Sequence, residues 1–597
     1  MAPKIYRSHL PNIPVHNRSI ISHLFSTSSS PTFVGNFPEH IPAYIDAPSG
    51  TTITRGQTKK FAFALGYGLR NHPDLKARRG ETVVIFSPNC LAWPIALFGS
   101  VSAGLRCTMA NSSYNARELA HQYTDSNARL IFTSEETLPV VIEMLEALGV
   151  DAAEAQRRIV LMTNCLQWAG GPYSLTIAPA RFFRRMQDLL GLGALQEEER
   201  FDGEQAHETA FLCYSSGTTG KPKGVESTHR NLTSVLDQAL PLFPTLNPTK
   251  DTLVCALPFY HIYGVMKLIN LPFLTGVPVA IMSKFDPEQF CANIERYKVT
   301  MLMVVPPLLV VLSRHPAVDK YDLSSVNTLF SGAAPLGADL CDQARVIKRL
   351  LSKRVDKSPI HVCQGYGLTE TSPTTHLVEQ KYAAKKLGSV GSLTPNVEAR
   401  LVVDGDGEGL IDAEEGQPGE IWVRGPNVMK GYLNNEKATK DSITADGWFK
   451  TGDIAVRDSE GFYTIVDRRK ELIKYKGFQV PPAELESILL TNPDISDAAV
   501  IGVYSRREAT ELPRAYVVPA NPSAVASDSE KAAFSSKVQN WVKTKVAKHK
   551  FLRGGVIIID SIPKSPSGKI LRRELRERAK GELAGRDPAN DIIRSKL

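Results

Sequence analysis

The sequence predicts an α/β protein, with a large N-terminal domain of layered sheets and helices, a small barrel-like unit, and a small mobile α+β C-terminal lid. Three observations predict it. From residue 81 to 305, short β-rich runs alternate with helical segments, the pattern of largely parallel sheets covered by helices. After Glu398 the strands crowd together between Gly and Asp turns, which favours antiparallel pairing. Beyond residue 470 comes a helix, two strands and a helix, about the length of a small separate domain.

The β-rich runs are 82–86, 129–132, 253–257, 277–282 and 300–305, with a helix over 138–148. Closely spaced strands follow at 399–403, 420–424 and 461–466. The lid has a helix at 482–490, strands at 498–503 and 515–518, and a helix over 532–547. The change of pattern divides the chain into residues 1–466, a boundary at 467–470, and a C-terminal part at 471–597. The acidic stretch 197–208 reads as an exposed connector.

A chain of 597 residues is too long for one compact domain. Its 43% hydrophobic and 22% charged residues are those of an ordinary globular protein. The net charge of +8 is spread rather than clustered, so no nucleic-acid footprint is present. A basic excess suits polyanionic small molecules. Eight cysteines lie scattered without metal-ligand spacing, and read as reduced and buried. No stretch approaches the roughly 20 apolar residues of a membrane span; the best, 301–312, is broken by Pro306 and Pro307.

The two ends of the chain point different ways. Before Glu39 there are basic residues, a Ser/Thr cluster and no acid, a transit-peptide composition that Pro11 and Pro14 interrupt. The last three residues, Ser595-Lys596-Leu597, form a peroxisomal address. Peroxisome is therefore expected, through an import receptor, ahead of cytosol or mitochondrion.

The most informative stretch is Tyr214-Ser-Ser-Gly-Thr-Thr-Gly-Lys-Pro-Lys-Gly-Val225, directly after the apolar run Ala210-Phe-Leu-Cys213. Glycines let backbone amides approach a bulky anion, hydroxyls donate hydrogen bonds, and lysines supply charge. This is not a Walker A loop. Only two residues separate Gly217 from Gly220, and Pro222 follows Lys221 where an amide would be needed. A flexible linker would explain the small residues but not the flanking strand or the Lys-Pro-Lys-Gly-Val sequence.

These residues resemble the phosphate signature of the adenylate-forming superfamily, which includes acyl- and aryl-CoA ligases, amino-acid adenylation domains and beetle luciferases. Gln364-Gly-Tyr-Gly-Leu-Thr-Glu370 resembles its adenine and magnesium motif, and Thr451-Gly-Asp453 its ribose motif. Residues 467–474 resemble its hinge, and Pro563-Lys-Ser-Pro-Ser-Gly-Lys569 its catalytic lysine loop. Five motifs occur in the family's order.

The resemblance implies ATP, Mg2+ and coenzyme A as cofactors and a carboxylic acid as substrate. Ser215, Ser216, Gly217, Thr218, Thr219, Gly220, Lys221 and Lys223 would grip the phosphates that leave as pyrophosphate. Tyr366 would stack on adenine, Thr369 touch the α-phosphate, and Glu370 hold magnesium. Asp453 and Arg468 would hold the ribose, with Gln479 beside the nucleotide and Ala333 and Gly365 also lining its site. Lys569 would bridge carboxylate and α-phosphate. After lid rotation about Lys470, the resemblance brings Lys474, Lys476 and Gly477 to the pantetheine, with Lys284 near the coenzyme A phosphates.

The acyl pocket is expected from 257–264 and 331–337, with His261 against the carboxylate and Tyr263, Gly332, Ala333 and Gly365 as walls. Gly264, Gly332 and Gly365 would leave room for a ring or chain. Residues 253–270 contain no Asp or Glu, which argues against an amino-acid substrate whose ammonium would go unpaired. The segments 332–337 and 470–480 resemble those of 4-coumarate–CoA ligases, which implies an aromatic or medium-chain acid. A luciferase-like oxygenase and an enzyme loading a separate carrier protein remain the alternatives.

Overall fold

The structure is a computed structural model. It describes residues 3–588 apart from 27–29, 176–179, 216–221, 306–307, 310–311, 314, 333–345, 351, 353–358, 404–408, 477, 566–567 and the Gln479 side chain.

Two large sheets carry the N-terminal part. Among the described residues, one has eight strands with Ile159–Met162, Ala128–Ser134, Thr82–Phe86, Arg106–Met109 and Thr209–Ser215 side by side. These run parallel, and Lys223–Thr228 then turns back antiparallel on Thr209–Ser215. Val83 to Phe86 are all essentially inaccessible, as a parallel strand covered on both faces must be. The other sheet has nine strands, with Leu253–Cys255, Met301–Val304, Thr328–Ser331 and His361–Gly367 in parallel succession. The first of these leaves its sheet before Pro258, which has no amide to donate to a ladder.

The small unit is a five-stranded antiparallel sheet: Tyr6–Arg7, Glu398–Val402, Gly419–Arg424, Phe449–Arg457 and Tyr463–Arg468. Its edge strand comes from the N-terminal segment, whose composition resembled a leader. That segment is part of the fold. Helix Ile20–Phe25 is wholly buried, and the buried Arg55 donates to the carbonyls of Val34 and Phe273 while stacking on Phe273. The acidic stretch 197–208 is likewise anchored rather than merely exposed. Glu199 pairs with Arg70 and Arg79, and Phe201 is buried against His229. Seven cysteines are free, and all but Cys90 are buried; Cys341 lies outside the described residues.

A second hydrophobic core runs from Ile473 to Ala579, around the strands Ile495–Ser505 and Thr510–Pro519. Helix Pro482–Leu490 packs on it. The long helix spans Asp528–Lys543, beginning earlier than apolar periodicity indicates. Ser527 and Glu530 form a reciprocal capping box that sets its start.

One buried ion network ties this domain to the hinge. Arg572 donates to Glu471 at 2.6 Å and to Glu486 at 2.6 Å, all three about nine-tenths buried. Asp467, at the end of strand Tyr463–Arg468, accepts from the amide of Ala483 at 3.0 Å. Burial pushes the Asp467 carboxyl up to about 7, against the pull of Arg572. Breaking such a network strands buried charge. Arg572→Met is expected to cost the C-terminal domain about 3–5 kcal/mol. Hydrogen exchange should show amides of 471–588 opening more easily while the parallel sheets stay protected; equal loosening of both would contradict two separate cores.

Candidate active site

The two sheets and the C-terminal domain meet around one cavity of about 2080 Å³. That exceeds the usual space for one small ligand and suits several substrates together. The ends of parallel strands deliver Ser215, Tyr366, Thr369 and Glu370 to it, as open α/β sheets generally do.

Thr209–Ser215 and Lys223–Thr228 form a hairpin in which Ser215 and Lys223 are opposite partners. Ser216, Gly217, Thr218, Thr219, Gly220 and Lys221 join them and lie outside the described residues. Ser215 donates to Glu370 Oε1 at 3.0 Å, and Tyr432 donates to the same oxygen at 2.9 Å. Lys223 sits over the Tyr432 ring, 3.9 Å from its centroid. Thus Tyr432, far away in sequence, joins the strand end to Glu370. Nothing local in the sequence marks that tyrosine.

Strand His361–Gly367 brings in Gly365 and Tyr366, and a short 3-10 turn follows with Thr369 and Glu370. Tyr366 donates to Asp453 Oδ2 at 2.7 Å, and Arg468 faces Oδ1 at 3.3 Å. Burial pushes the Asp453 carboxyl up, and Arg468 opposes that. No described residue donates to Glu370 Oε2, so the carboxylate has an oxygen free for a hard cation. Among the described residues no cluster of three metal-binding side chains occurs. The donor set fits magnesium carried in by phosphate oxygens rather than a caged ion.

His261 caps the helix that starts at Ile262, its Nδ1 accepting from the Tyr263 amide at 3.2 Å. Burial pushes its imidazole down to about 4, and the Lys569 charge adds to the effect. Tyr263 is buried and donates to the Phe330 carbonyl at 3.1 Å. Gly332 and Gly365 line the cavity, as expected, while Ala333 lies outside the described residues. Gly264 differs from expectation. A Cβ there would stand 2.0 Å from the Pro258 carbonyl oxygen, so this glycine permits close backbone packing, not pocket space.

From the C-terminal domain, Lys569, Lys470 and Lys474 reach the same cavity. Burial pushes Lys569 down to about 8, Arg468 adding to the fall while Glu471, Asp453 and Glu370 oppose it. A lysine this far from the parallel sheets in sequence therefore shares their electrostatics. Other expected coenzyme A contacts stand apart. Lys284 is exposed and outside the cavity wall, and Lys476 pairs with Glu508 at 2.6 Å. Gly477 and the Gln479 side chain lie outside the described residues. One lid orientation presents one face, and here the face carrying Lys569 is inward.

Two further groups escaped the sequence reading. Glu471 follows the hinge lysine and lines the cavity, held by Arg572. Lys267, buried in the cavity wall, belongs to no motif and is marked only as a charge within the apolar run 265–269.

Comparison with known proteins agrees with this arrangement. The AMP-binding enzyme family matches residues 32–433, and the AMP-binding enzyme C-terminal domain matches 484–569. The chain is 35% identical to 4-coumarate–CoA ligase-like 4 of Oryza sativa subsp. japonica, over 91% of each chain. It is 35% identical to peroxisomal OPC-8:0-CoA ligase 1 of Arabidopsis thaliana, over 89% of this chain and 90% of that one. Among solved structures it is similar to o-succinylbenzoate coenzyme A synthetase of Bacillus subtilis in complex with ATP and magnesium ion. That match has a TM-score of 0.68 and 26% identity, covering 90% of this chain and 96% of that one. With both family segments matched in order around the cavity, this chain belongs to the AMP-binding enzyme family.

Proposed function

We propose that the protein is an ATP-dependent carboxylate–CoA ligase that makes an acyl-adenylate and then an acyl-CoA thioester. The observation that carries this reading is Lys569 of the C-terminal domain lying in one cavity with Glu370, His261 and Arg468. Carboxylate is a poor electrophile, so it first attacks the α-phosphate of ATP and acquires AMP as a leaving group. Pyrophosphate departs. The thiol of coenzyme A then displaces AMP from the acyl carbon.

The first step brings two anions together, and fixed positive charge offsets their repulsion. Lys569 is the group that bridges them. Lys223 and the hydroxyl of Ser215 would meet the departing phosphates; residues 216–221 between them lie outside the described residues. Magnesium held by Glu370 would neutralise phosphate charge. Tyr366 and Asp453, coupled to Arg468, orient the nucleoside, and Thr369 approaches the α-phosphate. His261, neutral throughout the working range, borders the carboxylate without adding charge. For the second step the lid turns at Lys470, withdrawing Lys569 and bringing Lys474 of strand Ile473–Tyr475 and the following Lys476 to the thiol's path.

The acid is aromatic or of medium chain length, supported by the likeness to 4-coumarate–CoA ligase-like relatives and by the Tyr263 and Phe330 walls. A panel of carboxylic acids assayed for pyrophosphate release and thioester formation tests the reading directly. Release without any thioester would favour a carrier-protein acceptor instead. Peroxisomal residence is supported by the Arabidopsis relative's name and by Ser595-Lys596-Leu597, which lie outside the described residues. Two residues appended after Leu597 should leave the enzyme cytosolic and active under fluorescence microscopy; unchanged targeting would refute this address.

Lys569→Ala is expected to lower pyrophosphate release by about 10²-fold or more, as for other lost transition-state contacts. Thioester formation from presynthesised acyl-adenylate should survive; equal loss of both half-reactions would refute the division of labour. The pH profile provides a second check. Lys569 is charged below its lowered value of about 8 and loses its proton above it. The kcat/KM for adenylate formation, which reports the free enzyme, should fall about tenfold per pH unit beyond that point. Bound ATP raises the lysine's affinity for its proton, so the falling limb of kcat should sit at higher pH. In Lys569→Ala the kcat/KM limb should vanish, and its persistence would assign it to another group.

A further inference from the structure

Behind His261 the chain forms a continuous helical run: Ile262–Gly264, a wider-wound segment Val265–Asn270, and Leu271–Thr275. Wider turns of this kind are uncommon and concentrate where a side chain must be re-aimed. Four residues of the middle segment suit its buried position: Val265, Met266, Leu268 and Ile269. Lys267 does not. It is 2% exposed, yet it lines the cavity shared with His261 and Tyr263.

The lysine makes no hydrogen bond or ion pair with any described residue, and residues 253–270 contain no carboxylate. Burial alone pushes it down to about 7, with no neighbouring charge opposing. Elsewhere the deeply buried cations have polar partners: Arg572 has Glu471 and Glu486, Arg514 has Glu582, and Arg55 has the carbonyls of Val34 and Phe273. An ordinary core lysine extends its apolar stem and leaves its head in bulk water. Lys267 instead is buried whole in the wall of the substrate cavity. An ammonium there with no partner among the described residues is costly unless a ligand supplies the missing charge.

Position along the helix says which part of a ligand that would be. His261 stands at the start of the run, beside the reacting carboxylate in the reading above. Lys267 is six residues farther along, about 9 Å at the α-helical rise and somewhat less in the wider turns. Its partner therefore belongs to the far end of the acyl group.

We propose that Lys267 is a specificity-determining residue that pairs with a second carboxylate at the distal end of the substrate, so that the enzyme activates dicarboxylic acids. The inference rests on the ligase reading and deepens it. One carboxylate is adenylated beside Lys569, and the other stays ionised against Lys267 and fixes the chain's reach. Tyr263 and Phe330 enclose the apolar middle.

The test pairs straight-chain monocarboxylic acids with dicarboxylic acids of equal carbon number, at several lengths, and measures kcat/KM for pyrophosphate release. The wild-type enzyme should prefer the diacids. Lys267→Met, close in length and shape, should lower kcat/KM for diacids by about 10²-fold, as truncating one partner of a buried charge pair does. It should hold or raise kcat/KM for monoacids, and Lys267→Arg should keep much of the diacid preference. A purely structural lysine would lower both classes alike, and that result would overturn the proposal. So would a wild-type preference for monoacids, or for acids ending in a neutral hydroxyl. Absence of pyrophosphate release with every acid would instead overturn the ligase reading, and this proposal with it.

Discussion

A lysine carried out of water by one domain into the charged cavity of another is the interaction on which this active site depends. Lys569 belongs to a loop of the C-terminal core, yet Asp453, Arg468 and Glu370 of the N-terminal part act on its charge. Desolvation weakens its hold on a proton, and the three carboxylates around it restore part of that hold. The same desolvation strengthens every electrostatic contact it makes with a substrate. A lysine fixed there by the main sheets would obstruct the second reaction. A lysine delivered by a separate body can leave.

Delivery requires that the body be stiff and its attachment narrow. The buried Arg572 network supplies stiffness, joining helix Arg572–Glu582 to Glu471 beside the hinge and to Glu486 in the lid core. On the other side, Arg469 pairs with Glu420 at 2.7 Å and donates its amide to Gly452, holding the last strand of the five-stranded sheet in place. Between these anchors stands Lys470, exposed and at the cavity mouth. Rotation concentrated there, as proposed above, would move Lys569 without disturbing either core.

Much of this was legible in the sequence because the relevant signals are local. Short β-rich runs gave the parallel strands, and the motif residues cluster at strand ends where backbone turns expose them. The misses are non-local or depend on packing. Tyr432 reaches Glu370 only because Gly431–Tyr432 adds to the edge of Lys223–Thr228. Gly264 looked like pocket space, but its neighbour is a carbonyl that only the fold brings close. The N-terminal segment resembled a leader by composition, whereas its burial follows from contacts with Arg55 and helix His229–Ala239. Two misses did have local signals. Ser527 and Glu530 spell a capping box, and Lys267 interrupts an otherwise apolar run.

The central claim is that Lys569 leaves the cavity between the two half-reactions while Lys476, which here stands outside it paired with Glu508, enters. Lysine acetylation footprinting read by mass spectrometry measures this on the intact enzyme. The footprint is taken once with ATP and magnesium, and once with a hydrolysis-resistant acyl-adenylate analogue plus coenzyme A. The account predicts reciprocal change: Lys569 protected and Lys476 reactive in the first state, Lys569 reactive and Lys476 protected in the second. Equal reactivity of both lysines in both states would contradict it.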